Sequence, residues 1–543
     1  MKIRFVTLGC KLNFAESSAI GKALLQRGHT RAKQGEEADI CVINTCSVTD
    51  NADHKDRQTI HRIHRQNPNA IIIVTGCYAQ LQPEQIAQIE GVDYVLGQNE
   101  KYDIPALVER LESDAAEAAM GRSQSELLVI GERREGEETR RRYLINDNID
   151  NIALESTSSS ATQDKDTTTA TTHKKGNYCG ERVRVGKIRE VEEFHGAYSK
   201  DDRTRCFLKV QDGCNYFCTY CTIPYARGKS RNPAISDIIK DAQEAISQGA
   251  KEIILTGVNI GDFGRSTGET FLELLRALDR LEARGDEAKG EEAKGEEAKE
   301  GDEARRRQGE EARGEEKTKN YLVNDNIDNI PLESTSSSGK DIKSKNTGYR
   351  IRISSCEPNL LTDEIIDFVA HSKHFAPHFH IPLQSGSNEV LKIMKRRYTR
   401  ELFEERVKHI KQVMPHAFIG VDCMVGVRGE TEECFNDYVD FIKRLDVSQL
   451  HVFTYSERAN TRMLELDVCI VPKAERQRRS KILHEISEEK TKNFYAEQAG
   501  REAIVLWESK KEGDQMAGFT ENYVKVYRPY DKAKVNTFEV IRL

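Results

Sequence analysis

Long apolar runs are missing from these 543 residues. None approaches the 18 or so residues that a membrane helix needs. The longest candidate, residues 70–74, reads as a buried strand, so no membrane partner is expected. The first residues lack the basic-then-apolar pattern of a signal peptide, and a cytoplasmic protein is expected. Net charge is also small: 82 basic against 89 acidic side chains, or −7. Residues 282–316 hold 14 acidic and 8 basic groups, which leaves the remainder close to neutral. Overall charge therefore does not argue against a nucleic-acid partner. Cysteine, by contrast, is plentiful. Thirteen of them, an odd number without a signal pattern, disfavour a disulfide framework and favour metal ligation or thiol chemistry.

The chain divides by composition into an α/β protein with two polar inserts. Residues 1–118 read as an N-terminal α/β domain. Strand-like segments at 3–8, 39–44 and 70–75 are β-branched and each runs into a turn or helix, the pattern of a parallel sheet. Residues 119–177 are a low-complexity insert rich in Arg, Glu, Ser and Thr. Residues 178–471 alternate strands with helices, as a barrel or open parallel sheet does. They are interrupted by a second polar insert at 283–346. The inserts share a segment, YLINDNIDNIALESTSSS at 143–160 and YLVNDNIDNIPLESTSSS at 321–338, read as a duplication tolerated in surface loops. A basic helix is expected at 472–493, and short strands at 494–543 suggest a small β-barrel.

Cys214-Asn-Tyr-Phe-Cys218-Thr-Tyr-Cys221 is the sharpest local signal. Structural zinc takes four ligands in paired arms, and no second arm lies nearby. Three thiolates suit a four-iron, four-sulfur cluster with one iron left open. Three further cysteines, Cys10, Cys46 and Cys77, each follow an N-terminal strand. The C-terminal strand ends of an open parallel sheet meet at one crevice, so these thiols are expected to converge as a second trio. Cys41 lies mid-strand and reads as core.

The C-x3-C-x2-C loop resembles the radical S-adenosylmethionine (SAM) superfamily. With Leu8-Gly-Cys-Lys-Leu-Asn13, Asn44-Thr-Cys-Ser-Val-Thr49, Thr75-Gly-Cys77, 223–231, 255–259, 354–358, 380–387, 394–399 and 429–431, the chain outside its inserts resembles the methylthiotransferase family. That resemblance implies an α/β cluster-binding domain, a radical SAM partial (β/α) barrel and a C-terminal TRAM-like RNA-binding barrel. It also implies two 4Fe-4S clusters, one on Cys10, Cys46 and Cys77 and one on Cys214, Cys218 and Cys221. The second cluster would bind SAM and cleave it to a 5′-deoxyadenosyl radical, with electrons from a reduced flavodoxin or ferredoxin-type donor. Gly257, Asn259, Ser355, Gln384 and Ser385 are the expected SAM contacts. The residues around Cys10 and Cys46 look most like the branch that methylthiolates threonylcarbamoyladenosine beside the tRNA anticodon. Isopentenyladenosine in tRNA or a ribosomal-protein aspartate are the alternative substrates. A non-catalytic iron–sulfur protein that binds RNA is the alternative of another class.

The sequence departs from the family's usual pattern at Val425-Gly-Val-Arg-Gly-Glu, Phe453-Thr-Tyr-Ser and Ala459-Asn-Thr. Lys392, Lys395, Arg396 and Arg397, and the basic start of the 472–493 helix, are possible phosphate contacts, although charge runs are more often solvated faces. In the last domain Tyr523, Tyr527 and Tyr530 are candidate stacking aromatics, and Trp507 reads as core. His54 reads as an exposed loop residue.

Overall fold

The computed structural model describes residues 1–33, 35–131, 181–199, 204–282, 322–323 and 348–543, without side chains at 118–131 and 322–323. The first copy of the duplicated segment and Cys179 lie outside the described residues. Two compact units result: 1–102 with 182–543, and 103–181. In the second, the helix Ile104–Gly131 runs beyond residue 118. Its Ala-rich stretch past residue 114 favours helix over a boundary there.

The N-terminal half of the first unit is a six-stranded parallel sheet ordered β2-β1-β3-β4-β5-β6. Its strands are β1 (Lys2–Thr7), β2 (Thr30–Arg31), β3 (Ile40–Thr45), β4 (Ile71–Gly76), β5 (Tyr94–Leu96) and β6 (Val183–Arg184). β3 and β4 are buried along their whole length, as expected of apolar runs covered on both faces. The order reverses between β1 and β3, the switch point at which open α/β sheets place their ligands. Helix α1 (Lys11–Gln26) follows β1, α2 (Asp50–Gln66) follows β3 and the short α3 (Cys77–Leu81) follows β4.

Two three-stranded parallel sheets come next. One holds β7 (Arg205–Lys209), β8 (Glu252–Thr256) and β10 (Arg350–Ile353), with β9 (Leu322–Val323) lying between in sequence. The other holds β11 (His378–Gln384), β12 (Phe418–Val425) and β13 (Gln449–Thr454). Parallel bridges from Ile351 to Phe375 and from Ser355 to His380 join the two. The result is a six-stranded arc, a partial (β/α) barrel. Cys206, Leu208, Ile253 and Leu255 pack outward under the helices. The alternate residues Phe207 and Ile254 face inward and pack against Ala15 of α1. The N-terminal half is thus anchored on the open side of the arc.

The last domain is an antiparallel sheet ordered β17-β14-β15-β16-β9, with β14 (Glu502–Glu512), β15 (Gln515–Phe519), β16 (Lys525–Pro529) and β17 (Phe538–Arg542). Trp507 is fully buried in its core. Arg350 donates to Ile504 O at 3.1 Å and Phe519 O at 3.0 Å, and Arg352 donates to Thr520 O and Glu521 O, each at 2.7 Å. Both arginines pair with Glu252 at the start of β8. Burial would raise the Glu252 carboxyl, but Arg350, Arg352 and Arg205 outweigh it and hold it down at about 2.

This seating corrects the reading of the aromatics. Tyr523 packs on His378, Phe418 and Phe519, and its hydroxyl accepts from Arg205. Tyr527 is 6% exposed. The Tyr523 ring is spent on that packing, and the Tyr527 ring is covered by Lys525, whose Nζ stands 4.6 Å from its centroid. The early arginines of the helix Lys473–Glu497 are likewise engaged. Arg476 binds Val471 O, Tyr455 O and Glu457, and Arg479 binds Glu430, Glu432 and Glu475.

Candidate active site: two cysteine trios at the strand ends

The parallel register explains how the first trio meets. Thr45 pairs with Gly76, so Cys46 and Cys77, the next residues, stand level. Thr7 pairs with Asn44, which puts Gly9 level with Cys46 and Cys10 one step on. Gly9 has φ +93°, and a Cβ there would stand 2.9 Å from Cys46 Sγ. Gly76 has φ +103°, and its Cβ would strike Thr45 O at 2.4 Å. Both positions demand glycine, and that freedom lets the loops close on one point. Asn13 knits them together, donating to Leu8 O at 2.8 Å and Thr45 O at 2.9 Å, while its Oδ1 accepts from the Cys10 thiol at 3.8 Å. Burial pushes the Cys46 thiol up, with further push from Cys77 and Cys10, and burial does the same at Cys77. Cys41 stays in the core, fully buried.

The second trio sits on the loop after β7. Gly213 has φ +68°, and a Cβ there would lie 1.9 Å from Lys229 O. Phe217, with φ +51°, turns the chain between Cys214 and Cys218. The Tyr216 N–H donates to Cys214 Sγ at 3.4 Å. Burial raises the Cys214 thiol to about 12 and pushes up Cys218 and Cys221 as well. Arg396 opposes this at Cys218, donating from Nη1 to Sγ at 3.3 Å. Its other end pairs with Glu357. Arg396 is thus a buried latch on the cysteine loop rather than a phosphate contact. Arg397 stacks over the Tyr216 ring, 4.0 Å from its centroid.

Clustered thiols that raise one another's pKa are a donor set waiting for positive charge, since a bound metal removes their protons. Among the described residues no three Cys, His, Asp or Glu side chains are spaced to hold a single metal ion. A four-iron cluster fits better, because each cysteine takes a different iron.

The expected SAM contacts fall at the C-terminal ends of β8, β10 and β11. Gln211 Oε1 accepts from the Val258 and Asn259 N–H groups at 2.9 and 2.8 Å. The Asn259 side chain is buried beside the Tyr216 hydroxyl. Gly257 has Gln211 and Ile260 against it. Ser355 Oγ lies 3.0 Å from His380 Nδ1, and His380 Nε2 lies 2.7 Å from Asp422 Oδ1. Gln384 takes φ +64°. Ser385 is fully buried and its hydroxyl accepts from the Ser387 N–H, so it caps the turn.

Two connections join the halves of the unit near the trios. Arg458, after β13, donates to Ser47 Oγ at 2.6 Å and pairs with Asp50 at 2.7 Å and Asp53 at 2.8 Å. The departure at Ala459-Asn-Thr is accommodated there, because Asn460 takes φ +64°, a conformation Asn tolerates. In the departure at Val425-Gly-Val-Arg-Gly-Glu, Arg428 pairs with Glu457. The second connection is a buried ion network. Glu16 of α1 pairs with Lys101, Lys209 and Arg227, and Asp212 pairs with Lys209, Arg227 and Arg231. Apart from Lys209–Asp212, three residues apart, none of these pairs carries a local sequence signal. His54 is exposed as read, but it stands on helix α2 rather than in a loop.

Residues 2–97 match the uncharacterized protein family UPF0004, and residues 208–442 match the radical SAM superfamily. The threonylcarbamoyladenosine tRNA methylthiotransferase MtaB of Bacillus subtilis is 31% identical over 96% of this chain and 89% of its own length. Its namesake from Aquifex aeolicus is 29% identical over 97% of each. A tRNA-2-methylthio-N(6)-dimethylallyladenosine synthase from Pelotomaculum thermopropionicum is 26% identical over 95% of this chain and 88% of its own. Among solved structures, the radical SAM methyltransferase TsrM from Kitasatospora setae aligns with a TM-score of 0.46 at 12% identity, covering 83% of this chain and 74% of that one. No described helix is long and apolar enough to cross a membrane. With both family segments in place and a near-full-length relative above 30% identity, this chain belongs to the tRNA-modifying radical SAM methylthiotransferases, enzymes that work with SAM and 4Fe-4S clusters.

Proposed function

We propose that the protein methylthiolates C2 of N6-threonylcarbamoyladenosine at tRNA position 37, next to the anticodon, in the cytoplasm. One observation carries the reading: two cysteine trios stand at the C-terminal ends of two parallel sheets held together by Arg458 and the Glu16 network. Cys214, Cys218 and Cys221 hold the SAM-binding cluster, and Cys10, Cys46 and Cys77 hold the auxiliary one. With SAM bound, the first cluster supplies one-electron cleavage to a 5′-deoxyadenosyl radical, and the auxiliary cluster supplies or carries sulfur. Arg396 holds the Cys218 side of the loop. Tyr216 and Tyr220 shield it from water. The buried Asn259 side chain and the backbone at Gly257 receive SAM, with Ser355 and Gln384 bordering the same strand ends. A flavodoxin or ferredoxin-type protein supplies the electron.

The threonylcarbamoyl substrate rests on the names of the relatives at 31% and 29% identity and on Gly9-Cys-Lys-Leu-Asn13. The test is mass spectrometry of tRNA nucleosides from cells with and without the gene. Loss of 2-methylthio-threonylcarbamoyladenosine with accumulation of its unthiolated precursor is the expected result. Loss of the isopentenyl counterpart instead would move the substrate to the branch of the 26% relative.

A further inference from the structure

Glu16, Asp212, Lys101, Lys209, Arg227 and Arg231 form one ion-paired network, and no side chain in it is more than 9% exposed. It holds four cations and two carboxylates, so two positive charges are left without a carboxylate. Buried charge requires a counter-charge. The surplus faces the N-terminal cysteines. Arg227 acts electrostatically on Cys77 and Cys10, and Lys101 acts on Cys77. Arg227 Nη2 also donates at 2.6 Å to Asn13 Oδ1, the atom that accepts from the Cys10 thiol. Arg227 ends the short helix Ile223–Arg227, which begins two residues after Cys221.

Of the other charged groups around this seat, Asp56 accepts from the Cys46 N–H at 2.9 Å and adds negative charge beside that thiol, and the rest are matched. Lys209 sits between Glu16 and Asp212. Arg231 pairs with Asp212 and binds backbone carbonyls of Arg227 and Lys229. Tyr102 receives a hydrogen bond from Lys209 and stacks on His195. A four-iron cluster on three thiolates carries one net negative charge when oxidised and two when reduced, and charge around a cluster sets its potential. The two unmatched positive charges suit the reduced form.

We infer that Arg227 and Lys101 are positioning residues for the auxiliary cluster, seating its negative charge beside Cys10, Cys46 and Cys77 and raising its reduction potential. The inference rests on the proposed ligand set. Through Arg227, the radical SAM loop also reaches the other trio, so order in one site supports charge balance in the other.

The test uses the full chain with Cys214, Cys218 and Cys221 each changed to Ala, so that only the auxiliary cluster remains. Iron and sulfide are counted after anaerobic reconstitution, and the midpoint potential is read by EPR-monitored dye titration. Arg227→Gln and Lys101→Gln are each expected to shift the midpoint to more negative values, because lost positive charge disfavours the reduced cluster. Arg227→Lys keeps the charge and is expected to stay close to the parent. If Arg227→Gln does not fold, Lys101→Gln decides, since it leaves the Arg227 pairs in place. Parental iron content with an unshifted midpoint in the Gln variants overturns the inference alone. A parent that takes up no iron overturns the ligand set and this inference with it.

Discussion

The two cysteine trios are built by opposite means. The radical loop gathers Cys214, Cys218 and Cys221 within eight residues, and its shape is local: Gly213 and Phe217 at positive φ, with Arg396 latching Cys218 from outside. The N-terminal trio gathers residues spread over 68 positions, and its shape is topological. Register between β1, β3 and β4 puts Cys46 and Cys77 level with Cys10 one step on, and a slip of one residue would turn each to the other face. A loop site tolerates change in the surrounding sheet but not in its own few dihedrals. A strand-end site tolerates loop variation but not loss of register.

The largest expected effect separates the two by function. Cys214→Ala, Cys218→Ala and Cys221→Ala together abolish 5′-deoxyadenosine formation. The equivalent triple change at Cys10, Cys46 and Cys77 keeps SAM cleavage but yields no methylthio product. Anaerobic turnover analysed by liquid chromatography and mass spectrometry reads both, and equal loss of SAM cleavage in the two variants would break the division. Next, Gly213→Ala and Gly76→Ala should each lower the iron content at one site only. Each forces a Cβ into backbone oxygen, at 1.9 and 2.4 Å, on top of a positive φ. Strain of this kind costs about 1–3 kcal/mol per residue, and the crowding adds to it. Iron per chain, assayed with the opposite trio removed, checks the assignment.

A third prediction concerns a site remote from both trios. The Glu252 carboxyl is held at about 2 by Arg350, Arg352 and Arg205 against burial, below the ordinary value of an unfolded chain. Its contribution is therefore present above about pH 4.5 and lost as the pH falls toward 2, on the order of 3 kcal/mol. Glu252→Gln should remove that part of the acid slope in urea denaturation while leaving cluster content unchanged. The smallest effect is expected from deleting residues 283–346, which takes from the last sheet only its two-residue edge strand β9. The flanking helix Phe271–Asp279 leads into β10, and helix-to-strand loops lie on the barrel face away from the strand C-termini. SAM cleavage should persist in the folded, cluster-loaded deletion variant; its loss would mean that the insert reaches the site.

What the sequence made legible was periodic or local. β1, β3, β4, β8 and β10–β13 follow from β-branched runs, and both trios follow from strand ends and spacing. Three kinds of feature were not legible. β7 and the helix Ile235–Ser247 carry weaker patterns that stood out only beside their neighbours. Arg396 lies in a run of cations whose composition says surface, and only the fold buries it against Cys218. Tyr523 has the right residue type for stacking on RNA, but the seat of the last domain turns it inward onto His378, Phe418 and Phe519. The Glu16–Arg227 pair spans 211 residues, a distance over which no window of sequence carries information.

The Arg458 clasp on Ser47, Asp50 and Asp53 bears on how the protein is made. Its partners are about 400 residues apart. At roughly 5–20 residues per second, the ribosome delivers Arg458 some 20 to 80 seconds after Ser47 is made. Through that interval the sheet carrying Cys10, Cys46 and Cys77 emerges and folds without its closing arm. Contacts so distant in sequence form late and slowly. The strand ends that carry Cys10, Cys46 and Cys77 are therefore made well before Arg458 is there to tie them to the barrel.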